Sequence, residues 1–510
     1  MKFFGVLLLG ASVLSAAAWL RGAEYDEQYT LFLTAGMARP DWPETVFPAG
    51  LVAAFEAGHA GFAGIARDLR ATDVHPPLYF WAVSVWREAL GPGLFTARLF
   101  SVLCGVVSLA LTGRIARQCG VRPALAMLVT LGCYAFVYTN AIARGFAPAE
   151  MLTLAGVTLL LGRRAVAAGV MLGAACGCNY LAVFVAAAVV VSARAWRAVP
   201  ASVPFLALDA WFFAAQHGSR PDQFPPFALG PSLLRLAEYQ VAAVFGGLPL
   251  YFDGWMRLAV GVAVGLAAAG LAAGIAAAKP WAGGSGVRLV LAAAAAPPVG
   301  LLLLGAVFDN TPIELRYLSF GLPFVGILVA FGATPRYAQH PVMPTQVGIH
   351  VSCLLKRRRG WRAYARHDGG AGRAYGSYLT VVGIRILLAL QTASIAGLLL
   401  SPRTMQPART AAAEAASLAG DGVVLLPRGN DGVGIPGAFG IEAPPALPLL
   451  LIRPGDPVAE KIAPWRRAVV VTVAQDRDST ATLPVLRAAL SATDWRRVAI
   501  GSRVEVYERE

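Results

Sequence analysis

The chain has 510 residues, of which 57% are hydrophobic and only 14% charged, and its mean hydropathy is +0.60. This excludes a soluble globular protein and indicates a polytopic membrane protein, because several apolar runs reach the roughly 20 residues that cross a bilayer core. The formal charge of +14 would suggest nucleic acid in a soluble chain. Here it is the charge of cytoplasmic loops that orient membrane spans, and no nucleic-acid partner is expected.

The first apolar run extends from Phe3 to Leu20, with Lys2 on the inside. A lysine, an apolar core and small residues also describe a signal peptide. The apolar stretch, however, continues through Trp19 and Leu20, past the small residues where cleavage would fall, so it reads as a retained first span. Directly after it, "RGAEYDEQYTLFLTAG" places Glu24, Asp26 and Glu27 at the end of that span. A polar loop is the ordinary reading of such a stretch. Against it, carboxylates beside lipid are costly and mark function by default, and one placed here suits a general base. The pattern alone leaves both readings open.

Residues 21–95 form a long outside loop of broken amphipathic pieces. Within it, "TDVHPPLYFW" carries Pro76 and Pro77, which end any preceding helix and hold His75 at a rigid bend. Leu78 to Leu90 then read as an amphipathic helix whose Tyr and Trp suit the membrane interface. A polar residue at a helix start is the simpler role for a lone histidine.

Further spans are expected near 96–113, 123–140, 147–161, 165–178, 180–193 and 199–215. A polar outside loop from Gln216 to about Gly254 contains "HGSRPDQFPP" and, in its later half, an interfacial helix. Spans near 256–277, 287–307, 317–333 and 377–400 complete a set of about eleven, which puts the C-terminus outside. Arg114, Arg117, Arg122, Arg163, Arg164, Arg194, Arg197 and Lys279 fall in turns that this layout places inside, a check independent of how the spans were drawn. The six cysteines, Cys104, Cys119, Cys133, Cys176, Cys178 and Cys353, lie in spans or inside loops, so no disulfide framework is expected. The "CGC" at Cys176 lacks the second cluster a metal site needs.

Three arginines break the inside rule by standing at outside ends of spans: Arg98 in "FTARLFS", Arg144 in "NAIARGFAPAE" and Arg316 in "IELRYLSFGLPF". Arginine makes bidentate, charge-assisted contacts with phosphate, so an anionic lipid headgroup is a natural partner. Snorkelling to ordinary phospholipid accounts for one of them equally well.

Between the last two spans, residues 335–376 have no helical period and carry a block of basic residues. The piece "HPVMPTQVGIH" resembles peptide translated from dispersed repeats in some bacterial genomes. This region is read as an inserted, disordered cytoplasmic loop, with a basic patch on anionic lipid as the rival. Beyond the last span, residues 405–510 change character. "DGVVLLP", "ALPLLLI", "AVVVTVA", "RRVAIG" and "RVEVYE" are strand-like runs alternating with helix-like pieces, which predicts a small outside α/β domain.

An acidic "DE" after the first span, then "HPPLYFW", "ARLFS", "ARGFA" and "RYLSFGLPF" in this order and topology, resembles the class C (GT-C) membrane glycosyltransferases. The likeness is to the bacterial branch related to aminoarabinose–lipid A transferases and protein O-mannosyltransferases (glycosyltransferase family 39-like). It covers residues 1–334, and the terminal domain fits that architecture loosely. The resemblance implies an all-α GT-C-like bundle in the bacterial inner membrane, with its small α/β domain in the periplasm. It implies an inverting transferase that takes a sugar from a polyprenyl-phosphate carrier and gives it to an envelope lipid, glycan or protein. By the same resemblance Asp26, with Glu27 beside it, is the catalytic acid of the first outside loop. Arg98 matches the arginine of an "RLPS"-like segment, although this chain reads "RLFS". Arg144 and Arg316 match positions near the carrier phosphate, His75 matches the "HPPL" histidine, and Tyr317, adjoining Arg316, is taken with them as substrate-binding. No cofactor is specified; a carboxylate pair alone defines no divalent-metal site and leaves a metal requirement open. Two other readings compete. A flippase for a lipid-linked intermediate would place polar groups or broken helices at mid-bilayer, whereas the polar residues here gather at the outer face. A non-catalytic envelope scaffold would tolerate loss of Asp26.

Overall fold

The computed structural model describes residues 2–216, 224–333, 370–400, 408–474 and 476–509. The chain opens with α1 (Lys2–Leu20), followed by α2 (Tyr25–Ala35), α3 (Gly50–Glu56), α4 (Phe62–Thr72) and α5 (Leu78–Leu90). The bundle continues with α6 (Leu94–Gln118), α7 (Pro123–Gly132), α8 (Tyr134–Thr139), α9 (Phe146–Leu161), α10 (Ala165–Cys178), α11 (Ala182–Ala193) and α12 (Ala198–Gln216). After the amphipathic α13 (Leu229–Phe245) come α14 (Gly254–Ala277), α15 (Ser285–Phe308), a 3-10 segment Leu315–Gly321, α16 (Leu322–Gly332) and α17 (Gly370–Leu400).

Among the described residues, seven helical segments are long and apolar enough to cross a membrane, and α7, α9, α10 and α11 are shorter apolar helices. The protein is a multi-pass membrane protein. Helical segments occupy every one of the expected spans, with two differences of form. The span expected over 123–140 is broken at Cys133, whose backbone is extended (φ −67°, ψ 123°). The break frees the Val129 carbonyl, which accepts from Gln391 Nε2 of α17 at 3.2 Å. A helix break inside a bundle is tolerated when a neighbour satisfies the freed backbone in this way. The last helix begins at Gly370 rather than 377. The rest of the expected insertion, 335–369, lies outside the described residues.

The tail forms the expected α/β unit. The sheet contains β1 (Phe47–Pro48), β2 (Val423–Pro427), β3 (Pro448–Ile452), β4 (Arg467–Val471), β5 (Trp495–Ile500) and β6 (Val504–Arg509), in the order β1-β3-β2-β4-β6-β5. Strands β3, β2 and β4 are parallel, and β6 and β5 extend the sheet antiparallel. All five strand-like runs of the tail become strands. The remaining helices are α18 (Ala408–Ala419), α19 (Gly434–Glu442), α20 (Val458–Lys461) and α21 (Arg477–Ser491).

The boundary drawn between the first outside loop and this domain does not survive as a physical division. Strand β1 comes from that loop and pairs antiparallel with β3, Phe47 opposite Leu449. Tyr29, Phe32, Trp42, Phe47 and Val52 of the loop share one apolar core with Val424, Phe439 and Leu449 of the domain. Trp42 Nε1 also donates to the Gly432 carbonyl at 2.6 Å. The helix that carries the acidic motif is thus clamped between the bundle and the terminal domain.

Candidate active site

Helix α2 begins one short turn after α1, so its first residues are pinned at the end of a membrane helix. Successive helical residues point about 100° apart, and the neighbours Asp26 and Glu27 consequently have different surroundings. Glu27 is fully buried. Its carboxylate accepts from Arg98 Nε at 2.7 Å and Nη2 at 2.5 Å, from the Ala143 N–H at 2.8 Å and from the Glu24 N–H at 3.1 Å. Arg98 spends its other donors on the carbonyls of Ala18, Arg21 and Gly22, at 2.7–2.9 Å. A guanidinium has five N–H donors, and all five are engaged within the protein. Arg98 therefore has none left for the phosphate expected of it. Glu27, ringed by donors, is equally closed to a substrate proton.

Asp26 faces the other way. It forms an ion pair with Arg316, and both side chains keep some access to solvent, at 16% and 20% exposure. Arg316 opens the 3-10 segment and lies over the ring of Tyr317. Tyr317 in turn stacks on Phe146, with centroids 6.2 Å apart.

The second arginine, Arg144, sits just before α9. The turn that carries it packs so closely that a Cβ on Gly145 would lie 2.3 Å from the Cys178 carbonyl oxygen. This accounts for the glycine of "ARGFA". Arg144 Nη2 lies 3.2 Å from both ring nitrogens of His75, and Nη1 is 3.7 Å from Asp73 Oδ2. Asp73, which the sequence reading passed over, is the hub of this group. Its Oδ1 is 3.0 Å from His75 Nδ1 and accepts from the Val74 N–H at 2.7 Å. A carboxylate only accepts, so Nδ1 carries the ring proton and Nε2 is left as the acceptor toward Arg144. Arg144 Nη1 has no hydrogen bond among the described residues. The guanidinium lies over the Tyr29 ring, 5.9 Å from its centroid. Tyr29 is one helical turn beyond Asp26, so Arg144 and Arg316 flank the same helix.

His75 and Tyr317 both line a cavity of about 1080 Å³, of the size that holds a small-molecule ligand or a lipid head. Asp26 does not touch the cavity itself. Arg316 and Arg144 do not line it either; Arg316 adjoins the lining residue Tyr317. The structure thus pairs Asp26 with Arg316 and Glu27 with Arg98, joins His75 to Arg144, and places Tyr317 in the cavity wall. Two contributors went unnoticed in the sequence. Asp73 stands two residues before His75 inside the quoted motif. Asp209 is a lone acid within an apolar span, which is itself a signal.

Other polar residues are buried in the bundle: Glu150 lies against Asn140 and Ser108, and Gln391 lies against the break in the third span. Cys104, Cys119, Cys133, Cys176 and Cys178 are free thiols. Among the described residues no cluster of His, Cys, Asp and Glu has the form of a metal site.

No family model matches the chain, and no curated protein matches it. Among solved structures, the chain is similar to ArnT from Cupriavidus metallidurans bound to undecaprenyl phosphate, with a TM-score of 0.52 at 15% identity over 99% of this chain and 97% of that one. The same protein in its apo state gives a TM-score of 0.51 at 14% identity over 99% and 96% of the two chains. At such low identity this likeness establishes a shared fold. It spans both the bundle and the terminal α/β domain, in agreement with the GT-C-like architecture expected from the motifs.

Proposed function

We propose that the protein is an integral membrane glycosyltransferase that moves a sugar from a polyprenyl-phosphate carrier to an envelope lipid, glycan or protein at the outer face of the inner membrane. The observation that carries this reading is the Asp26–Arg316 pair. It is partly open to solvent and adjoins Tyr317 of the cavity wall, in a chain whose fold is shared with a protein solved with undecaprenyl phosphate bound.

In this reading the phosphate of the carrier competes with Asp26 for Arg316. Its arrival draws the guanidinium away and leaves the carboxylate free to act as general base. The acceptor hydroxyl or amine attacks the anomeric carbon while Asp26 takes its proton. The bond from that carbon to the phosphate oxygen breaks on the opposite side, with inversion, and the carrier phosphate leaves with the electron pair. Arg316 and Arg144 stabilise the charge growing on the leaving group, which is electrostatic catalysis by preplaced cations. His75, oriented by Asp73, holds Arg144 in place. Glu27 and Arg98 are positioning residues in this scheme: they fix the start of α2 and so the direction of Asp26.

The test is Asp26→Asn, with the full chain expressed in cells lacking the native gene. Envelope lipids and glycans are compared by mass spectrometry, and carrier binding is measured on the purified protein. The expected result is loss of one sugar modification, by a factor of about 10²–10⁴ in rate for a lost general base, with normal expression and carrier binding no weaker than wild type. Full transfer by the variant would remove Asp26 from the chemistry. An envelope unchanged by deletion of the gene would remove the transferase reading.

A further inference from the structure

Asp209 takes no part in the scheme above. It projects from α12, one of the membrane-crossing helices, is only 6% exposed and lines the cavity beside Cys176, Asn179 and Phe213. Neither of its carboxylate oxygens has a hydrogen-bond partner among the described residues. On its far side it is backed by α10, where a Cβ on Gly177 would lie 3.7 Å from Oδ1. Neighbouring polar groups make contacts elsewhere. Gln216 donates to the Leu69 and His75 carbonyls at 3.1 and 2.9 Å and accepts from the Tyr180 hydroxyl at 2.9 Å. Asn179 Oδ1 accepts from the Leu181 N–H at 3.1 Å. Much of the remaining wall is apolar, including Phe184, Leu206 and Phe308.

A buried acid without a partner is costly, and such a group inside a membrane bundle is retained for function more often than for stability. The nature of its partner follows from the cavity. An isoprenoid tail laid against Asp209 would strip the water from the carboxyl group and return no hydrogen bond. The part of a ligand that reaches it must therefore offer donors, as a sugar borne by the carrier does and the phosphate and isoprenoid tail do not.

We infer that Asp209 is the sugar-reading group of the cavity, accepting hydrogen bonds from hydroxyl or ammonium groups of the sugar borne by the polyprenyl phosphate. This rests on the carrier-dependent reading proposed above. It adds a specificity residue on a different helix from those assigned to the phosphate and to the proton.

The test uses the full-length protein in lipid nanodiscs and four probes: undecaprenyl phosphate alone, and the same lipid bearing a pentose, a hexose or an amino sugar. The wild type is expected to bind at least one sugar-bearing carrier more tightly than the bare one. Asp209→Ala should weaken that binding about 10- to 100-fold, as befits a lost hydrogen bond to a charged group, and leave bare-carrier affinity within about twofold. Asp209→Asn separates the two kinds of donor. It stays near wild type if the donors are hydroxyls and falls as far as Asp209→Ala if the donor is an ammonium group. An alanine variant that keeps the sugar preference, or one that loses bare and sugar-bearing carriers equally, overturns the assignment. So does a wild type that prefers none of the sugar-bearing lipids. A wild type that fails to bind bare undecaprenyl phosphate overturns the carrier reading itself, in an arm of the experiment to which Asp209 does not contribute.

Discussion

Two adjacent acids and three outward arginines looked alike in the sequence, and their surroundings divide them. Arg98 and Glu27 are both buried and paired with each other. Removing one leaves the other without its counter-charge away from water, which costs about 3–5 kcal/mol. Arg98→Leu is therefore expected to lower the thermal unfolding midpoint of the purified protein sharply. Arg316→Ala, at a partly exposed pair, should cost no more than about 1 kcal/mol and yet reduce sugar transfer. If both variants were equally stable, the division of roles would be wrong. A third acid, Glu56 in the outside loop, makes a prediction about pH. Burial raises its pKa to about 8 from the usual 4.5, with Arg87 opposing the shift. Arg87 donates to the Glu56 carbonyl at 2.8 Å, and the carboxyl Oε1 has no hydrogen bond among the described residues. The folded state thus holds this proton over a range where the unfolded state has released it. The associated stability is complete below about pH 4.5 and is lost as pH rises toward 8. Glu56→Gln should flatten that part of the decline in unfolding temperature between pH 5 and 8. An identical slope in the variant would show that Glu56 ionises normally.

At the scale of elements, α2 is positioned by contacts from both sides. Its start is tied to α1 and α6 through Glu27 and Arg98. Its Tyr25 and Tyr29 hydroxyls reach Asp476 and Asp431 of the terminal domain. The loop that follows gives strand β1 to the domain's sheet and buries Trp42 in the shared core. The domain therefore bears on the site through the helix that carries Asp26. Trp42→Ala removes a large buried ring, a change of about 3–5 kcal/mol in a packed core, and is expected to loosen this joint without unfolding the bundle. Hydrogen exchange should speed up in β1, β3 and α2 and stay unchanged in α6 and α9, and transfer should fall. Unchanged exchange in α2 would mean that the domain does not hold it.

For the whole molecule, the placement of the site requires α2 and the terminal domain to face the same side of the membrane, opposite the basic turns. Asp41 and Arg496 are exposed in the loop and the domain, and Arg164 and Arg194 are exposed in the turns. In a cysteine-free background, single cysteines at 41 and 496 are expected to react with an impermeant maleimide in cells whose inner membrane is intact. Those at 164 and 194 should react only after it is permeabilised. Labelling of 41 and 496 from opposite sides would contradict the shared sheet and core. The reverse pattern would place the site in the cytoplasm and exclude a periplasmic reaction.

The sequence by itself determined the elements: where the apolar helices lie, and that the tail alternates strands with helices. Hydropathy acts locally, span by span, so a single chain displays it. The sequence also singled out the acid, the histidine and the arginines as site candidates, because short motifs are likewise local. Only the tertiary structure decided which acid meets which arginine, since Glu27 and Arg98 are 71 residues apart and Asp26 reaches Arg316 across most of the bundle's sequence. It alone showed that Asp73 organises His75 and Arg144, and that Gln391 mends the break at Cys133. It alone fused the first outside loop to the terminal sheet and opened Asp209 onto a cavity. The physical reason is the same in each case: a charged or polar group buried in a membrane protein must be satisfied, and its partner is chosen by packing in space, not by proximity along the chain.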